Sequence, residues 1–308
     1  MDPRLGTGAS LAEIGRAARI LSVRSRREAA GVLVGLWASA FRGGGVEFEE
    51  SRPYVPGDDV RAIDWNATAR TGVPWVKRFR EERSCPVLIA LDASASMAFG
   101  TTGRTKVQAA AYATALLATA AAGAGDPVGF VAFADRVRGE VAPGRGDAHT
   151  WRVIRAAAAS ARAPCGTTDF DVASNWIRAH ARRRSLVIVL SDFRSADVDA
   201  AGRRPLAVVA RRHDLVAAGI EDPRELDLVA AGGIRIADAE ATGRPLLLAT
   251  GRRRREQYAA AARARRSAAT QRLRDAGADC VWLGTGDDLL RALVRFFRMR
   301  GAARRGVA

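Results

Sequence analysis

The chain of 308 residues is short of cysteine, histidine, lysine and aromatic side chains, and each shortage narrows what it can do. Three cysteines, Cys85, Cys165 and Cys280, none in C-x-x-C spacing, exclude a disulfide framework and a zinc ribbon and point to a reducing compartment. Three histidines, His149, His180 and His213, leave little for a His-based triad or a His-rich metal site and read as solvated helix or loop residues. Cys165 reads as a small packed residue rather than a nucleophile. No aromatic residues interleave with the arginine clusters at 182–184, 203–204, 211–212 and 252–255, so no platform for stacking nucleic-acid bases is visible. An export signal is also missing, because residues 1–30 carry Arg and Glu throughout instead of an apolar run; the expectation is a cytoplasmic protein. The weakly polar stretch 107–125 is mostly alanine with Gln, Tyr and Thr inside it, which reads as a buried helix rather than a membrane span.

What the chain does have is arginine. The formal net charge is +16, and Lys77 and Lys106 are the only lysines. Such an excess fits an acidic partner, or helix surfaces written in Arg and Ala; the Ala-rich background favours the second. With 48% hydrophobic residues the chain can bury a full-sized core.

Residues 10–40 look helical, with Leu11, Ile14, Ala18 and Leu21 at helical spacing, and Gly43-Gly44-Gly45 ends that region. From Val46 to Arg83 short extended pieces alternate with turns, a small irregular β-containing module. From Cys85 apolar strands alternate with helices. Strands are expected at 86–92, 127–134, 186–192, 214–220 and 280–283, and helices near 104–123, 147–161, 170–183, 198–212, 252–276 and 287–300. Segment 232–250 reads as an inserted hairpin. Continuous apolar strands belong to a sheet covered on both faces, so the expected fold is a doubly wound, mostly parallel α/β sheet with its ligand site at the carboxyl ends of the strands. The expected organisation is 1–84 for the N-terminal helix and module, 85–300 for the α/β domain, and 301–308 for a tail.

The strand 86–92 ends in Asp92-Ala93-Ser94-Ala95-Ser96. A carboxylate closing a buried strand, followed by two hydroxyls at alternating positions, can aim three oxygens at one point, and hard divalent cations such as Mg²⁺ want about six. Further oxygens are expected from Gly166-Thr167-Thr168-Asp169, where an N-cap role is the alternative for Thr168 or Asp169, and from Ser191-Asp192-Phe193. This D-x-S-x-S, then T, then D set resembles the metal-ion-dependent adhesion site (MIDAS) of von Willebrand factor A domains. The resemblance implies Asp92, Ser94 and Ser96 as first-loop ligands of Mg²⁺ or Mn²⁺, Thr168 from the second loop with Thr167 as the alternative, and Asp192 acting through water.

The run Arg52-Pro53-Tyr54, Pro56-Gly57-Asp58-Asp59, Arg61, Ile63-Asp64-Trp65 and Thr68-Ala69-Arg70, leading into the Asp92 loop, is similar to the signature of the bacterial family catalogued as domain of unknown function 58. Members commonly begin with two transmembrane helices, which this chain lacks, and their genes tend to lie beside those of MoxR-type AAA+ ATPases, which implies such a partner. On the residues alone, Gly57 suits a turn needing positive φ, Asp58, Asp59 and Asp64 can pair with Arg52, Arg61 and Arg70, and Trp65 and Trp75 can pack. A structural role and a docking surface are both open to this run.

Enzyme readings fare worse. Neither Ser94 nor Ser96 sits in a G-x-S-x-G elbow, and the stretch Gly100 to Lys106 lacks the Lys-Ser/Thr ending of a P-loop. A phosphotransferase with an Asp nucleophile would want a carboxylate where Ser94 stands. The expectation is a non-enzymatic, metal-dependent protein-interaction module that receives an acidic side chain of a client or of an ATPase. The alternative is a basic polyanion- or nucleic-acid-binding protein using helix 252–276, with a metal-dependent hydrolase third.

Overall fold

The computed structural model describes residues 19–20, 32–41, 46–81, 84–194, 203–236 and 246–305. In chain order these form α1 (Val32–Phe41), β1 (Val46–Pro53), α2 (Trp65–Thr71), β2 (Trp75–Glu81), β3 (Val87–Asp92), α3 (Lys106–Gly123), β4 (Val128–Phe133), β5 (Val137–Gly144), α4 (Asp147–Ser160), α5 (Phe170–His180), β6 (Leu186–Ser191), α6 (Arg203–Arg212), β7 (Asp214–Glu221), α7 (Pro223–Leu226), β8 (Gly233–Ile236), β9 (Leu246–Ala249), α8 (Arg252–Asp275), β10 (Asp279–Gly284) and α9 (Leu289–Arg305). The expected helical positions Leu11, Ile14 and Ala18 with Leu21, and the start of the helix expected at 198, lie outside the described residues.

The central sheet has six strands in the order β10-β7-β6-β3-β4-β5, all parallel except β5. Its strands bury both faces, and the two-residue period sorts their side chains cleanly. On β3, Val87, Ile89 and Leu91 enter one core with residues of α1, α3, α4 and α9, while Leu88 and Ala90 enter the other with residues of α5, α6 and α8. β6 repeats this with Leu186, Ile188 and Leu190 against Val187 and Val189. Helix α3 is buried along most of its length, and its alanines let neighbouring elements approach closely. No helix among the described residues is long and apolar enough to cross a membrane.

Three features differ from expectation. β5 escapes the sequence reading because it is a sheet-edge strand with a half-exposed polar pattern and Pro143 near its end. α9 continues to Arg305, past the residue where a tail is expected. And α1, expected to group with the module that follows it, packs into the α/β core: Leu33 and Trp37 are fully buried there, Trp37 meets Phe297 edge-on at 5.6 Å, and its Nε1 donates to Asp126 Oδ2 at 3.0 Å. The hairpin expected at 232–250 is present as β8 paired with β9.

β1 and β2 form a separate antiparallel ribbon around the α2 turn. Asp64 caps α2 by accepting from the Asn66 and Ala67 amides, and it also accepts from Ser51 Oγ at 3.1 Å.

Candidate functional site

The first and second loops at the carboxyl end of the sheet are tied together by backbone hydrogen bonds: Cys165 N donates to Ala93 O and Ala95 N donates to Gly166 O, both at 2.9 Å. Gly166 makes this possible, since its φ is +82° and a Cβ there would lie 2.4 Å from Asp135 Oδ1. The pairing carries Thr168 over the Asp92 loop. Its Oγ1 donates to Ser94 Oγ at 3.0 Å and to Asp92 Oδ2 at 3.2 Å, and Ser94 Oγ lies 3.2 Å from Ser96 Oγ. Thr168, the buried one of the doubled threonines, joins this hydroxyl cluster while Thr167 is exposed, and Asp169 takes the N-cap of α5.

Asp92 is completely buried. Its Oδ1 accepts from the Ser94 amide at 2.9 Å, and its Oδ2 accepts from Ser191 Oγ at 2.6 Å. Burial, then the nearby Asp192 charge, pushes the Asp92 carboxyl up to about 6 despite these donors. Ser191 also accepts from the Phe193 amide at 3.2 Å. Phe193 is the only non-glycine residue with positive φ among those described, at +49°, a conformation costly for a bulky side chain. Its ring is buried and stacked on Phe170 at 5.7 Å, and this packing holds the turn that follows Asp192.

Asp192 does not meet the hydroxyl cluster through a hydrogen bond of its own. Its Oδ2 receives Lys106 Nζ at 2.6 Å and its Oδ1 the Arg194 amide at 3.1 Å. Lys106, the first residue of α3 and 1% exposed, also donates to Glu225 Oε1 at 2.8 Å, and Glu225 pairs with the Arg194 guanidinium at 2.8 Å. Burial pulls the Lys106 ammonium down, but Asp192 and then Glu225 outweigh it and leave its pKa above the ordinary lysine value. Three carboxylates, Asp92, Asp192 and Glu225, thus face two cations, Lys106 and Arg194, which leaves one net negative charge when all are ionised. A cavity of about 350 Å³ opens beside Asp192, lined among others by Arg194, Glu221, Glu225, Arg266 and Trp282.

Lys106 and Glu225 have no signal in the local motifs; they come to the site at the starts of α3 and α7, while Ser191 of the expected third loop is brought to Asp92 by the β6 strand beside β3.

These oxygens fit a small hard cation. An octahedral ion with oxygen ligands at 2.0–2.1 Å places neighbouring ligands about 2.9 Å apart, close to the hydroxyl and carboxylate spacings found here. The donor set is mostly neutral hydroxyl, so among the described residues no group of three His, Cys, Asp or Glu side chains forms a metal-holding cluster.

The N-terminal signature residues are placed differently from expectation in part. Arg52 grips Asp58 with two bonds, at 2.7 and 2.8 Å, and Asp58 Oδ2 also receives the Val55 amide. Gly57 has φ +108° in that turn, and the Tyr54 amide donates to Pro74 O. Asp59 accepts from the backbone amide of Arg61, Arg70 Nε donates to Asn66 O, and the cation beside Asp64 is Lys77, at 3.9 Å, in place of the expected arginine. Trp65 does not pack: it is 71% exposed at the first position of the short α2, and Val55, Val60 and Val73 of the same module are exposed as well. Elsewhere, Cys165 is exposed rather than packed, while His149 and His213 are buried rather than solvated. His149 reaches the Val128 carbonyl at 2.7 Å.

The family description "Protein of unknown function DUF58" matches residues 50–268. Uncharacterized proteins of Mycobacterium tuberculosis and Mycobacterium bovis are 33% identical over 293 residues, covering 94% of this chain and 91% of theirs. Among solved structures, the conserved hypothetical protein BatB from Bacteroides thetaiotaomicron aligns with TM-score 0.47 and 15% identity over 71% of this chain and 99% of that one. An aerotolerance-related membrane protein from Bacteroides fragilis aligns with TM-score 0.45 and 14% identity over 70% of this chain and 99% of that one. On the extent of the family match and the identity of the mycobacterial relatives, the chain belongs to the DUF58 family of proteins of unknown function.

Proposed function

We propose that the protein is a metal-dependent protein-interaction module of the von Willebrand factor A type, a binding device and not a catalyst. In this reading Asp92, Ser94, Ser96 and Thr168 hold Mg²⁺ or Mn²⁺, with Asp192 acting through water. The observation that carries it is the convergence of the Ser94, Ser96 and Thr168 hydroxyls on a fully buried Asp92 whose pKa is raised to about 6. A bound divalent ion supplies positive charge that these largely neutral ligands leave unquenched, which an acidic side chain of another protein can complete. The chain's own contribution is to fix the hydroxyls, to bury Asp92 away from water, and to hold Asp192 in place by pairing it with Lys106.

The proposed partner is a MoxR-type AAA+ ATPase or its client, which makes this chain an adaptor or co-chaperone. The exposed signature residues Arg61, Trp65 and Arg70 are the proposed second contact. The test is co-purification of the full chain with the ATPase in magnesium against chelator. Retention in magnesium, and loss both in chelator and on Asp92→Ala, is expected; undiminished binding of that variant in chelator would end the proposal.

A polyanion-binding reading draws on one observation, the exposed arginines Arg252, Arg253, Arg254, Arg263, Arg265 and Arg274 along α8. It predicts binding to DNA or RNA that weakens steeply with salt and ignores chelator.

A further inference from the structure

Lys106 is a buried ammonium with no role in the site read from sequence, yet it is the group that fixes Asp192. It starts α3, whose N-terminus is locked by a capping box between Thr105 and Gln108. From there Nζ reaches Asp192 Oδ2 at 2.6 Å and Glu225 Oε1 at 2.8 Å. With the Arg194 amide on Oδ1, each Asp192 oxygen already has a strong donor. A charge-assisted bond of this kind is about twice as strong as a neutral one, and its release would leave a buried ammonium, the buried Asp192 carboxylate and the partly buried Glu225 to rearrange. We propose that Lys106 is a positioning residue that holds Asp192 out of direct contact with the bound ion, so that the site offers a single direct carboxylate, Asp92, and requires a second one from outside the chain. This rests on the metal-site reading above and adds the reason that the site stays open to an acidic partner.

The geometry makes the consequence of losing the ammonium specific. Without Lys106, Asp192 and Glu225 face each other across the position Nζ held, with Asp92 nearby, and the local net charge becomes more negative. A divalent ion then becomes the available counter-charge, and Asp192 is free to bind it directly. Loss of the positive charge alone would also tighten binding, but would leave the number of waters on the bound Mn²⁺ as in the wild type, whereas direct binding by Asp192 displaces one.

The experiment is a titration of the full chain with Mn²⁺ alone, reading free Mn²⁺ by electron paramagnetic resonance, for the wild type and Lys106→Met, Asp192→Asn, Lys106→Met with Asp192→Asn, and Lys106→Met with Asp92→Ala. Lys106→Met is expected to bind at least tenfold more tightly than the wild type and to carry one water fewer on its bound Mn²⁺, counted by water-proton relaxation. Adding Asp192→Asn should cancel that gain, and adding Asp92→Ala should abolish binding. Asp192→Asn alone should weaken binding, but by less than tenfold, because it removes a contact made through water and not a direct ligand. A gain of less than tenfold in Lys106→Met, an unchanged water count on its bound Mn²⁺, or a loss of tenfold or more in Asp192→Asn overturns the proposal while the metal reading stands on the wild-type titration. Absence of binding in the wild type and in Lys106→Met together overturns both. Should Lys106→Met fail to fold even in millimolar Mn²⁺, the Asp192→Asn result decides alone.

Discussion

Two buried aspartates close strands of the same sheet that lie on either side of β6, both beside loop hydroxyls, and they end in opposite electrostatic states. Asp222, just after β7, accepts from the Thr101 amide and hydroxyl at 2.8 and 2.6 Å, from Thr285 Oγ1 at 2.7 Å and from the Arg224 amide at 2.9 Å. Burial pushes its carboxyl up, but these donors outweigh burial and hold it below the ordinary value. Asp92, after β3, has fewer donors and a second carboxylate close by, and sits at about 6. Both side chains are closed to solvent, but Asp92 lies deeper in the fold; depth, the number of donors and the sign of the neighbour together leave one carboxylate satisfied and the other with its charge uncompensated.

The largest effects should come from removing each aspartate. Asp222→Ala strands two hydroxyls and two amides and is expected to cost about 3 kcal/mol of stability, read by denaturant unfolding, with metal binding retained once the protein is folded. Asp92→Asn should do the reverse: it removes a buried charge that lacks compensation, so the metal-free protein should be as stable as the wild type or more so at pH 7, while Mn²⁺ affinity falls by 100-fold or more. A large loss of stability in Asp92→Asn would erase the contrast.

The next effect is pH dependence. The folded Asp92 carboxyl lies above its unfolded value, so between about 4 and about 6 the folded state holds the proton more tightly than the unfolded chain. Its contribution is therefore present below that window and lost as pH rises through it. Thermal melts of metal-free wild type should show this loss relative to Asp92→Asn, and millimolar Mg²⁺ should remove the difference.

Smaller effects tune the comparison. Ser191→Ala removes the 2.6 Å donor from Asp92, and Thr285→Val removes a donor from Asp222; each should cost about 1 kcal/mol, and each should move its aspartate further up, as read by the pH dependence of the melts. Smallest of all, Trp65→Ala should leave unfolding within about 0.5 kcal/mol of wild type, since the ring is 71% exposed, while weakening ATPase binding if the signature docks.

The sequence makes the sheet legible because its strands are continuous apolar runs, and β5 is hidden because an edge strand has no such signature. The hydroxyl cluster is legible for a similar reason: Asp92, Ser94 and Ser96 lie within one short motif, and Thr168 directly precedes a helix cap. The counter-charges are not legible in that way. Lys106 and Glu225 are separated by 119 residues and meet only because α3 and the β7–α7 turn converge. A lysine among arginines reads as surface charge until the fold buries it. Trp37 is similar: nothing local to α1 announces its bond to Asp126 in the α/β core. Trp65 misleads in the other direction, an aromatic that hydropathy assigns to packing and the ribbon leaves in solvent.

The central claim is that the Asp92 cluster is a divalent-cation site. Calorimetric titration of the full chain with Mg²⁺ and Mn²⁺ at pH 7, beside a folded Asp92→Asn variant, tests it most directly. One-site binding by the wild type that vanishes in the variant is the predicted result; no binding by the wild type at millimolar ion, or equal binding by both, would contradict it.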